Sequence, residues 1–387
     1  MTSSRSRAAA LTGCLVAAAL TLSACGSAAS SKTSTSASSG GVSAASATSA
    51  AQFGGMDALV KAAQQEGQLN VITLPSNWAN YGTIMAAFTK KYGIKISDEN
   101  PEGSSQDEIN AITTRKGQDR APDVVDIGSA FAVSGAQQGL FAPYKVATFA
   151  DIPAGQADPN GLWANDYGGY ISIGCNASKI KVCPTTFSDL LNPVYKGQIA
   201  LDGNPTQANA AFSGVYAAAL ANGGSLSNIQ PGLDFFSKLQ KAGNYNPVQA
   251  TQATVEQGST PITIDWDYLN AGYSAAFKSK GINWVVNIPT DGVYASYYNQ
   301  AINKWAPHPA AARLWEEFLY STEGQNDFLG GFARPVEYQA LKTAGTLNEA
   351  ENAQLPTVSG TVSFPTQAQI TSAKATIASG WTKAIGG

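Results

Sequence analysis

Hydrophobic residues in the first third of the chain alternate between helical and strand spacing. Residues 56–66 carry apolar side chains at positions 56, 59, 60 and 63, which predicts a helix with one buried face. Gly67 follows as a C-terminal stop. The elements predicted next are a strand over 69–74, a helix over 82–92, a strand over 94–97, a helix opened by a capping box at 105–108, and a strand over 123–127. This order predicts an α/β fold with a largely parallel sheet.

The same alternation resumes in the second half. It predicts a strand over 198–201, a helix over 231–242, a strand over 261–266 and a helix over 309–320. In open α/β sheets, ligands bind beyond the carboxyl ends of the strands. Aromatic, hydroxyl or carboxylate groups follow four predicted strands, at 75–78, 128–131, 202–204 and 265–267. We therefore expect a binding surface at these positions.

The N-terminus has the pattern of an export signal. Arg5 and Arg7 precede an apolar run over 8–22, and the run ends in LSAC at Cys25. The run is too short to span a bilayer comfortably. The residues before Cys25 match the lipobox of bacterial lipoproteins, in which this cysteine becomes the acylated N-terminus. The alternative is a plain cleaved signal with an incidental cysteine.

Composition divides the rest of the chain. Residues 26–52 are almost wholly Ser, Ala, Thr and Gly, which predicts a flexible tether. About 335 residues follow from Phe53, long enough for two lobes. Residues 1–25 hold two arginines and no acids, so cleavage leaves 22 basic residues against 27 acidic ones, a net charge of about −5. No basic stripe is present, which argues against nucleic acid as a partner. A mild acidic balance suits a neutral or cationic small ligand.

Cys175 and Cys183 are the two cysteines downstream of the export signal. In an oxidising compartment such a pair predicts a disulfide. Metal binding is the rival interpretation, but two thiols with no nearby histidine make a poor site. We expect no metal site and no cofactor.

Catalytic motifs are missing from the sequence. It contains no G-x-S-x-G, Walker loop, G-x-G-x-x-G after a strand or H-E-x-x-H. The single histidine, His308, is expected in a solvated loop. Glu316 and Glu317 are helical neighbours that point about 100° apart. Asp265 and Asp267 share one face of a predicted strand, as a glycosidase pair does. A secreted carbohydrate-active enzyme therefore remains an alternative to a protein without catalytic residues.

Two segments carry a resemblance to a known family. Residues 185–201 read TTFSDLLNPVYKGQIAL and resemble a "T-W-x-D-L…P-x-Y-K-G-K-I" motif, and residues 315–325 read WEEFLYSTEGQ and resemble "F-x-x-F-L-x-S-x-E-G-Q". Residues 59–67, LVKAAQQEG, fit as well. The chain from Phe53 onward resembles the extracellular solute-binding lipoproteins of bacterial ABC importers, in the group of iron, polyamine and aminoethylphosphonate binders.

The resemblance implies a two-lobed periplasmic-binding-protein-like fold of class II with a hinge and a ligand cleft. Lobe one would comprise 53–170 plus 295–336, and lobe two 171–294 plus 337–387. The implied role is to capture a small solute and deliver it to an ABC permease and its ATPase. The protein would be a monomer, lipid-anchored at the extracellular face of the cytoplasmic membrane.

Polyamine binders within the group resemble this chain most at the cleft. Their Trp-x-x-Tyr, Ser-x-aromatic, strand-end aromatic and Gly-aromatic-x-x-Pro positions match Trp78 and Tyr81, Ser129 and Phe131, Trp266, and Phe332. Their Trp-x-Asp is replaced here by Ser296-Tyr297-Tyr298. The resemblance then leaves Asp202, Asp265 or Asp267 to hold a cation. Ordinary core positions are the alternative for Phe131 and Tyr297.

Iron binders use paired tyrosines, and Tyr297 with Tyr298 forms such a pair. The pair falls after a later strand than in those proteins, and the early histidine is missing. Phenolates with aspartate can bind ferric ion. A polyamine or other amine-bearing solute is therefore the expectation, and ferric iron is the alternative.

The lipobox generates one test. Cys25→Ala should release the protein into the medium, because the anchoring thiol is lost. Fractionation of cells and mass analysis of the wild-type N-terminus would measure this. A variant that stays membrane-bound, with no acyl mass on the wild type, would contradict lipidation.

Overall fold

A computed structural model describes residues 38–39, 41–359, 362 and 364–386. The predicted signal peptide, Cys25 and the first part of the predicted tether lie outside the described residues. The described residues all belong to one compact unit. None of the helices in the described part is long and apolar enough to cross a membrane.

Twelve strands lie in the described part of the chain. They are β1 Ser38–Ser39, β2 Val42–Ser43, β3 Gln68–Ile72, β4 Lys95–Glu99, β5 Val124–Gly128, β6 Phe141–Ala142, β7 Ala164–Asn176, β8 Ile199–Leu201, β9 Ile262–Trp266, β10 Trp284–Asn287, β11 Ala295–Asn303 and β12 Arg334–Pro335.

Fourteen α-helices lie in the same residues. They are α1 Ala50–Phe53, α2 Met56–Glu66, α3 Tyr81–Tyr92, α4 Ser105–Thr114, α5 Ser129–Gln137, α6 Asn209–Ala221, α7 Gln230–Lys241, α8 Gln252–Gln257, α9 Asp267–Phe277, α10 Pro309–Leu319, α11 Thr322–Gly330, α12 Tyr338–Ala344, α13 Glu349–Asn352 and α14 Gln367–Ile385.

The α/β class predicted from the sequence is confirmed, but the prediction of a largely parallel sheet is wrong. Only β3 with β4 and β8 with β9 pair in parallel among the described strands. The long strands β7 and β11 run antiparallel to each other, and β11 also runs antiparallel to β5. Neither β7 nor β11 was predicted. β7 and β11 run antiparallel to their neighbours. Since the same sheet also contains the parallel pair β8 and β9, it is a mixed sheet.

β7 joins the two halves of the main sheet. Up to Tyr170 it pairs with β11, and from Ile171 it pairs with β9. This change of partner falls where the sequence predicts the chain to cross between lobes. α14 packs against both α7 and α5, while Leu341 after β12 packs on Leu329 of α11. The lobe boundaries themselves stay a prediction.

The globular part begins before the predicted boundary at Phe53. Ala44 and Ala47 are fully buried. The guanidinium of Arg313, on α10, donates to the carbonyls of Ala47 and Ala45 at 2.8 and 3.0 Å. A buried guanidinium needs acceptors for its five N–H groups, and small alanines let this backbone approach closely. The predicted boundary at Phe53 is therefore too late, and residues 44–47 belong to the folded part of the chain.

Local sequence signals explain the ends of α2 and the start of α4, whereas the start of α10 depends on a distant residue. α2 begins and ends at the predicted residues. The capping box of α4 is shifted by one from the prediction, since Ser104 is the N-cap and Asp107 completes the box. At α10 the amides of Ala310 and Ala311 donate to the carboxylate of Glu66, at 3.0 and 2.8 Å. This contact joins α10 to the end of α2.

The predicted disulfide is confirmed. Cys175 at the end of β7 is bonded to Cys183, with 5.9 Å between the two Cα atoms. The bond closes a short loop beside the pairing of β7 with β10.

Removing this bond should destabilise the fold. In the chain-entropy model a loop of this length contributes about 2–3 kcal/mol by restricting the unfolded chain. We expect Cys175→Ser/Cys183→Ser to lower the free energy of unfolding by that amount in urea titrations. Reductant should reproduce the loss in the wild type and leave the variant unchanged. Equal stability of the two proteins without reductant would contradict this role.

Candidate functional site

A cavity of about 50 Å³ lies where the carboxyl ends of β3, β4, β5 and β8 converge. We call it the acidic cavity. Its lining residues are Thr73, Pro75, Trp78, Pro101, Glu102, Gly103, Ser104, Ser105, Glu108, Asp126, Asp202, Ala208, Asn209, Ala210, Gln249 and Tyr298. The volume is that of a few water molecules. The cavity is therefore large enough for one small polar group of a solute.

The loop after β3 positions Trp78 at this cavity. Thr73 and Asn80 have φ angles of 57° and 70°, in the left-handed region that non-glycine residues seldom adopt. The amide of Gly82 donates to the carbonyl of Ser76 at 2.9 Å. A Cβ at Gly82 would lie 2.8 Å from that oxygen, so the tight loop requires glycine here. The indole Nε1 of Trp78 donates to the hydroxyl of Tyr167 at 2.6 Å.

Aromatic rings form one wall. Trp78 contacts Tyr298 and Tyr268 edge-on, with ring centroids 5.4 and 5.9 Å apart. Trp266 contacts the same two tyrosines from the other side. The two tryptophans are thus connected through a pair of tyrosines. A flat or cationic group in the cavity would meet the rings of Trp78 and Tyr298.

Four carboxyl groups line the cavity: Glu102, Glu108, Asp126 and Asp202. Within the described residues the lining contains no lysine, arginine or histidine. Asp126 accepts from the hydroxyl of Tyr167 at 2.7 Å through Oδ2. Its Oδ1 is buried and has no hydrogen-bond partner among the described residues. Gln249 donates to Oδ1 of Asp202 at 2.9 Å.

Burial dominates the electrostatics of these acids. It raises the pKa of Asp202 to about 7, helped by the nearby charge of Glu102. Burial also raises the pKa of Asp126 far above its usual range, and the charges of Asp166 and Glu108 add to the effect. The pKa of Glu108 is raised for the same first reason, removal from water. A cation in the cavity would favour the ionised carboxylates and lower these pKa values.

Comparison with known proteins identifies the family. Residues 119–359 match the profile of the family described as bacterial extracellular solute-binding protein. The chain belongs to this family. The predicted role as the solute-binding component of an importer is therefore confirmed, while the solute is not identified by it. The family places the protein outside the cytoplasm.

Solved periplasmic binding proteins share the fold of this solute-binding protein. AfuA from Actinobacillus pleuropneumoniae, with fructose-6-phosphate bound, is 18% identical with a TM-score of 0.64 and covers 83% of this chain and 99% of its own. Iron-bound HitA from Pseudomonas aeruginosa is 22% identical with a TM-score of 0.56, covering 80% and 97%. A putative spermidine/putrescine ABC transporter protein from Listeria monocytogenes is 15% identical with a TM-score of 0.54, covering 74% and 88%. These likenesses confirm the two-lobed class of fold.

Three of the residues predicted for the ligand site of the solute-binding protein line the acidic cavity: Trp78, Asp202 and Tyr298. Asp265 and Trp266 are fully buried at the end of β9, behind the cavity wall. Tyr81 is in the core, where its hydroxyl donates to Asp166 at 3.3 Å and accepts from Gln300 at 2.9 Å. The structure does not bring Tyr81 to the cavity, because the first turn of α3 faces inward.

Ser129 and Tyr297 line a different cavity of about 110 Å³, together with Trp163 and Phe364. Successive residues of a strand point to opposite faces, so Tyr297 and Tyr298 cannot both reach the acidic cavity. Phe131 is buried, with the amine of Lys374 3.7 Å from its ring centre. Phe332, at a φ of 62°, is half-buried and does not line the acidic cavity.

Asp267 was predicted to hold a cationic ligand and instead holds a cation of the protein itself. Its Oδ2 accepts from Nη1 of Arg334 at 2.6 Å, and its Oδ1 accepts from the amide of Tyr170 at 2.8 Å. Burial raises the pKa of Asp267, and the guanidinium of Arg334 opposes that rise. This ion pair links the start of α9 to β12.

Sequence reasoning missed Glu102, Glu108 and Asp126. Glu102 follows a predicted strand by a few residues, which was a usable signal. Asp126 lay inside a predicted buried strand, and Glu108 lay inside a predicted helix cap. Only the packing of α4 on β5 shows that Glu108 and Asp126 lie together, since the carboxylate of Glu108 accepts from the amide of Asp126 at 2.9 Å.

The Arg334–Asp267 pair predicts a stability effect. Asp267→Asn keeps an oxygen for the amide of Tyr170 but removes the charge opposite a guanidinium whose side chain is 19% exposed. Removing one partner of a buried ion pair leaves the other unpaired, so we expect a loss of about 2–3 kcal/mol in the free energy of unfolding. Urea denaturation would measure it, with Arg334→Met/Asp267→Asn as the control that removes both charges. A single variant as stable as the wild type would contradict this account.

Proposed function

We propose that this solute-binding protein captures a small amine-bearing solute in the acidic cavity. One observation carries the proposal: four carboxyl groups line the cavity, with no basic side chain among the described lining residues. Buried carboxylates without a cation are costly to hold ionised. An ammonium group would supply the missing positive charge and the missing hydrogen-bond donors.

The aromatic wall supports the same class of solute. A desolvated cation against an aromatic face contributes about 2 kcal/mol. The rings of Trp78 and Tyr298 would contact the ammonium or the alkyl stem. Asp202 would add a charge-assisted hydrogen bond, which is stronger than a neutral one. A polyamine combines these features.

Anionic solutes fit the cavity poorly. A sugar phosphate such as the fructose-6-phosphate of AfuA carries charges of the same sign as the four carboxyl groups. Recognition of phosphate ordinarily uses arginine, lysine or helix N-termini. The same charge argument disfavours the phosphonate end of aminoethylphosphonate.

Ferric iron is the alternative that the sequence raised, and iron is the ligand bound in HitA. The tyrosine pair expected to bind it is divided, because Tyr298 lines the acidic cavity and Tyr297 lines the other one. No cluster of three or more His, Cys, Asp and Glu side chains suited to a metal occurs in the described part of the chain. These observations favour the amine over iron.

Capture would proceed by closure of two lobes about β7, with lobe one near 53–170 plus 295–336 and lobe two near 171–294 plus 337–387. The change of β7 partners at Tyr170 and Ile171 supports a hinge there. We also propose that acylated Cys25 anchors the protein at the extracellular face of the membrane, beside an ABC permease and its ATPase.

Catalysis is not part of this proposal. The aspartates that raised a glycosidase alternative, Asp265 and Asp267, are both fully buried, and Asp267 is ion-paired. A solute incubated with the protein should be recovered chemically unchanged by mass spectrometry. Turnover that is lost in Asp265→Asn would restore the enzyme alternative.

Asp202→Asn should weaken binding of an amine at least tenfold, about 1.4 kcal/mol, because it removes a carboxylate that faces the cavity. Calorimetry of the detergent-solubilised full chain with putrescine, spermidine and aminoethylphosphonate would measure this. Trp78→Ala should also weaken binding, and Trp78→Phe should retain most of it.

Asp234→Asn is the matched control, since Asp234 is exposed on α7. It should bind like the wild type. No heat from any of the three amines, together with tight binding of a ferric complex that is lost in Tyr297→Phe/Tyr298→Phe, would transfer the assignment to iron.

A further inference from the structure

Asp202 directly follows β8, and Asp265 lies on the adjacent parallel strand β9. β8 and β9 pair Ile199 with Ile262 and Leu201 with Ile264. Asp202 and Asp265 are therefore the next residues along the two strands in the same register. Adjacent strands lie about 4.8 Å apart, and residues in register point to the same face. The two carboxyl groups are consequently neighbours, with Asp202 lining the acidic cavity and Asp265 buried behind it.

The hydrogen bonds of these two side chains leave oxygen atoms uncommitted. Oδ1 of Asp265 accepts from the amide of Trp266 at 2.8 Å. Its Oδ2 is buried and has no hydrogen-bond partner within the described chain. Asp202 accepts from Gln249 through Oδ1. Asp265 is fully buried, while Asp202 reaches the cavity.

The described titratable groups around Asp202 and Asp265 are carboxyl groups and phenols, so none of them supplies a positive charge to the pair. The titratable groups that face the two aspartates are Glu102, Tyr268, Tyr273 and Tyr298, and Glu108 and Asp126 line the same cavity. Arg334 is paired with Asp267, the residue after β9, and not with either of these aspartates. Two carboxylates side by side in a dry environment cannot both remain ionised. Burial and the charge of Asp202 both raise the pKa of Asp265.

We infer that Asp202 and Asp265 share one proton in the ligand-free protein, and that a bound ammonium group displaces this proton to solvent. The displacement by an ammonium group rests on the proposed function, whereas the shared proton does not. In the exchange, one O–H bond of the pair breaks and its proton goes to water or buffer. The ammonium keeps its own protons and takes over the neutralising role. Asp265 thus acts on the solute through Asp202 without touching it.

The exchange sets the direction of the pH dependence. A proton competes with the ammonium for the same pair, so acid weakens binding. For release of one proton, the affinity rises about tenfold per pH unit as long as the ligand-free pair is protonated. Binding should therefore be about tenfold tighter at pH 7 than at pH 6.

The first test needs no solute. Infrared spectroscopy of the full-length chain in detergent at pH 7 should show a protonated carboxylic acid band whose area falls by one carboxyl group in Asp265→Asn and in Asp202→Asn. Asparagine retains an oxygen for the amide of Trp266, so the fold should be preserved, and circular dichroism would check this. Asp234→Asn is the control and should keep the band. Identical spectra for all four proteins would overturn the shared proton.

The second test uses spermidine as the probe. Calorimetry in buffers of different ionisation enthalpy should report release of at least one proton per bound spermidine in the wild type. In Asp265→Asn the release should fall by about one proton, and the change in affinity between pH 6 and 7 should become correspondingly smaller. Binding without proton release in the wild type would overturn the displacement. If spermidine does not bind while the infrared band behaves as expected, the proposed solute is wrong and the shared proton stands.

Discussion

The free-energy cost of burying carboxyl groups without cations is the main physical constraint on the acidic cavity. Glu108, Asp126, Asp202 and Asp265 are all buried, and the described lining of the acidic cavity offers them no basic partner. Charged groups removed from water must be paired, hydrogen-bonded or neutralised. The fold meets this requirement only in part, through the side chains of Tyr167 and Gln249 and the backbone amides of Asp126 and Trp266. The remaining requirement defines what the cavity can bind.

The long strand β7 explains why those groups converge on one place. It pairs with β11 over its first half and with β9 over its second half, so β5 and β8 end on the same cavity although they belong to different halves of the sheet. Tyr167 of β7 stacks on Tyr298 and holds both Trp78 and Asp126 by hydrogen bonds. Tyr167 therefore connects the first half of β7 to the aromatic and acidic parts of the cavity lining.

The sequence predicted the parts that depend on local pattern. α2, the disulfide and the strand ends carrying Trp78 and Asp202 follow from helical spacing, cysteine count and turn residues. The antiparallel returns of β7 and β11 were missed, because their register depends on distant partners. The division of Tyr297 from Tyr298 and the ion pair of Asp267 were missed for the same reason: both depend on which face of a strand or helix meets a distant element. The comparison with known proteins confirms the family, which the two quoted motifs had indicated.

The most direct test of the acidic cavity is a crystal structure of the protein with the amine that binds it most tightly. We expect an ammonium nitrogen at about 2.7–2.9 Å from an oxygen of Asp202, the usual length of a charge-assisted hydrogen bond. The ring of Trp78 should lie against the cation or its alkyl stem. An amine found instead in the cavity lined by Ser129 and Tyr297, with no contact to Asp202 or Asp126, would contradict the account.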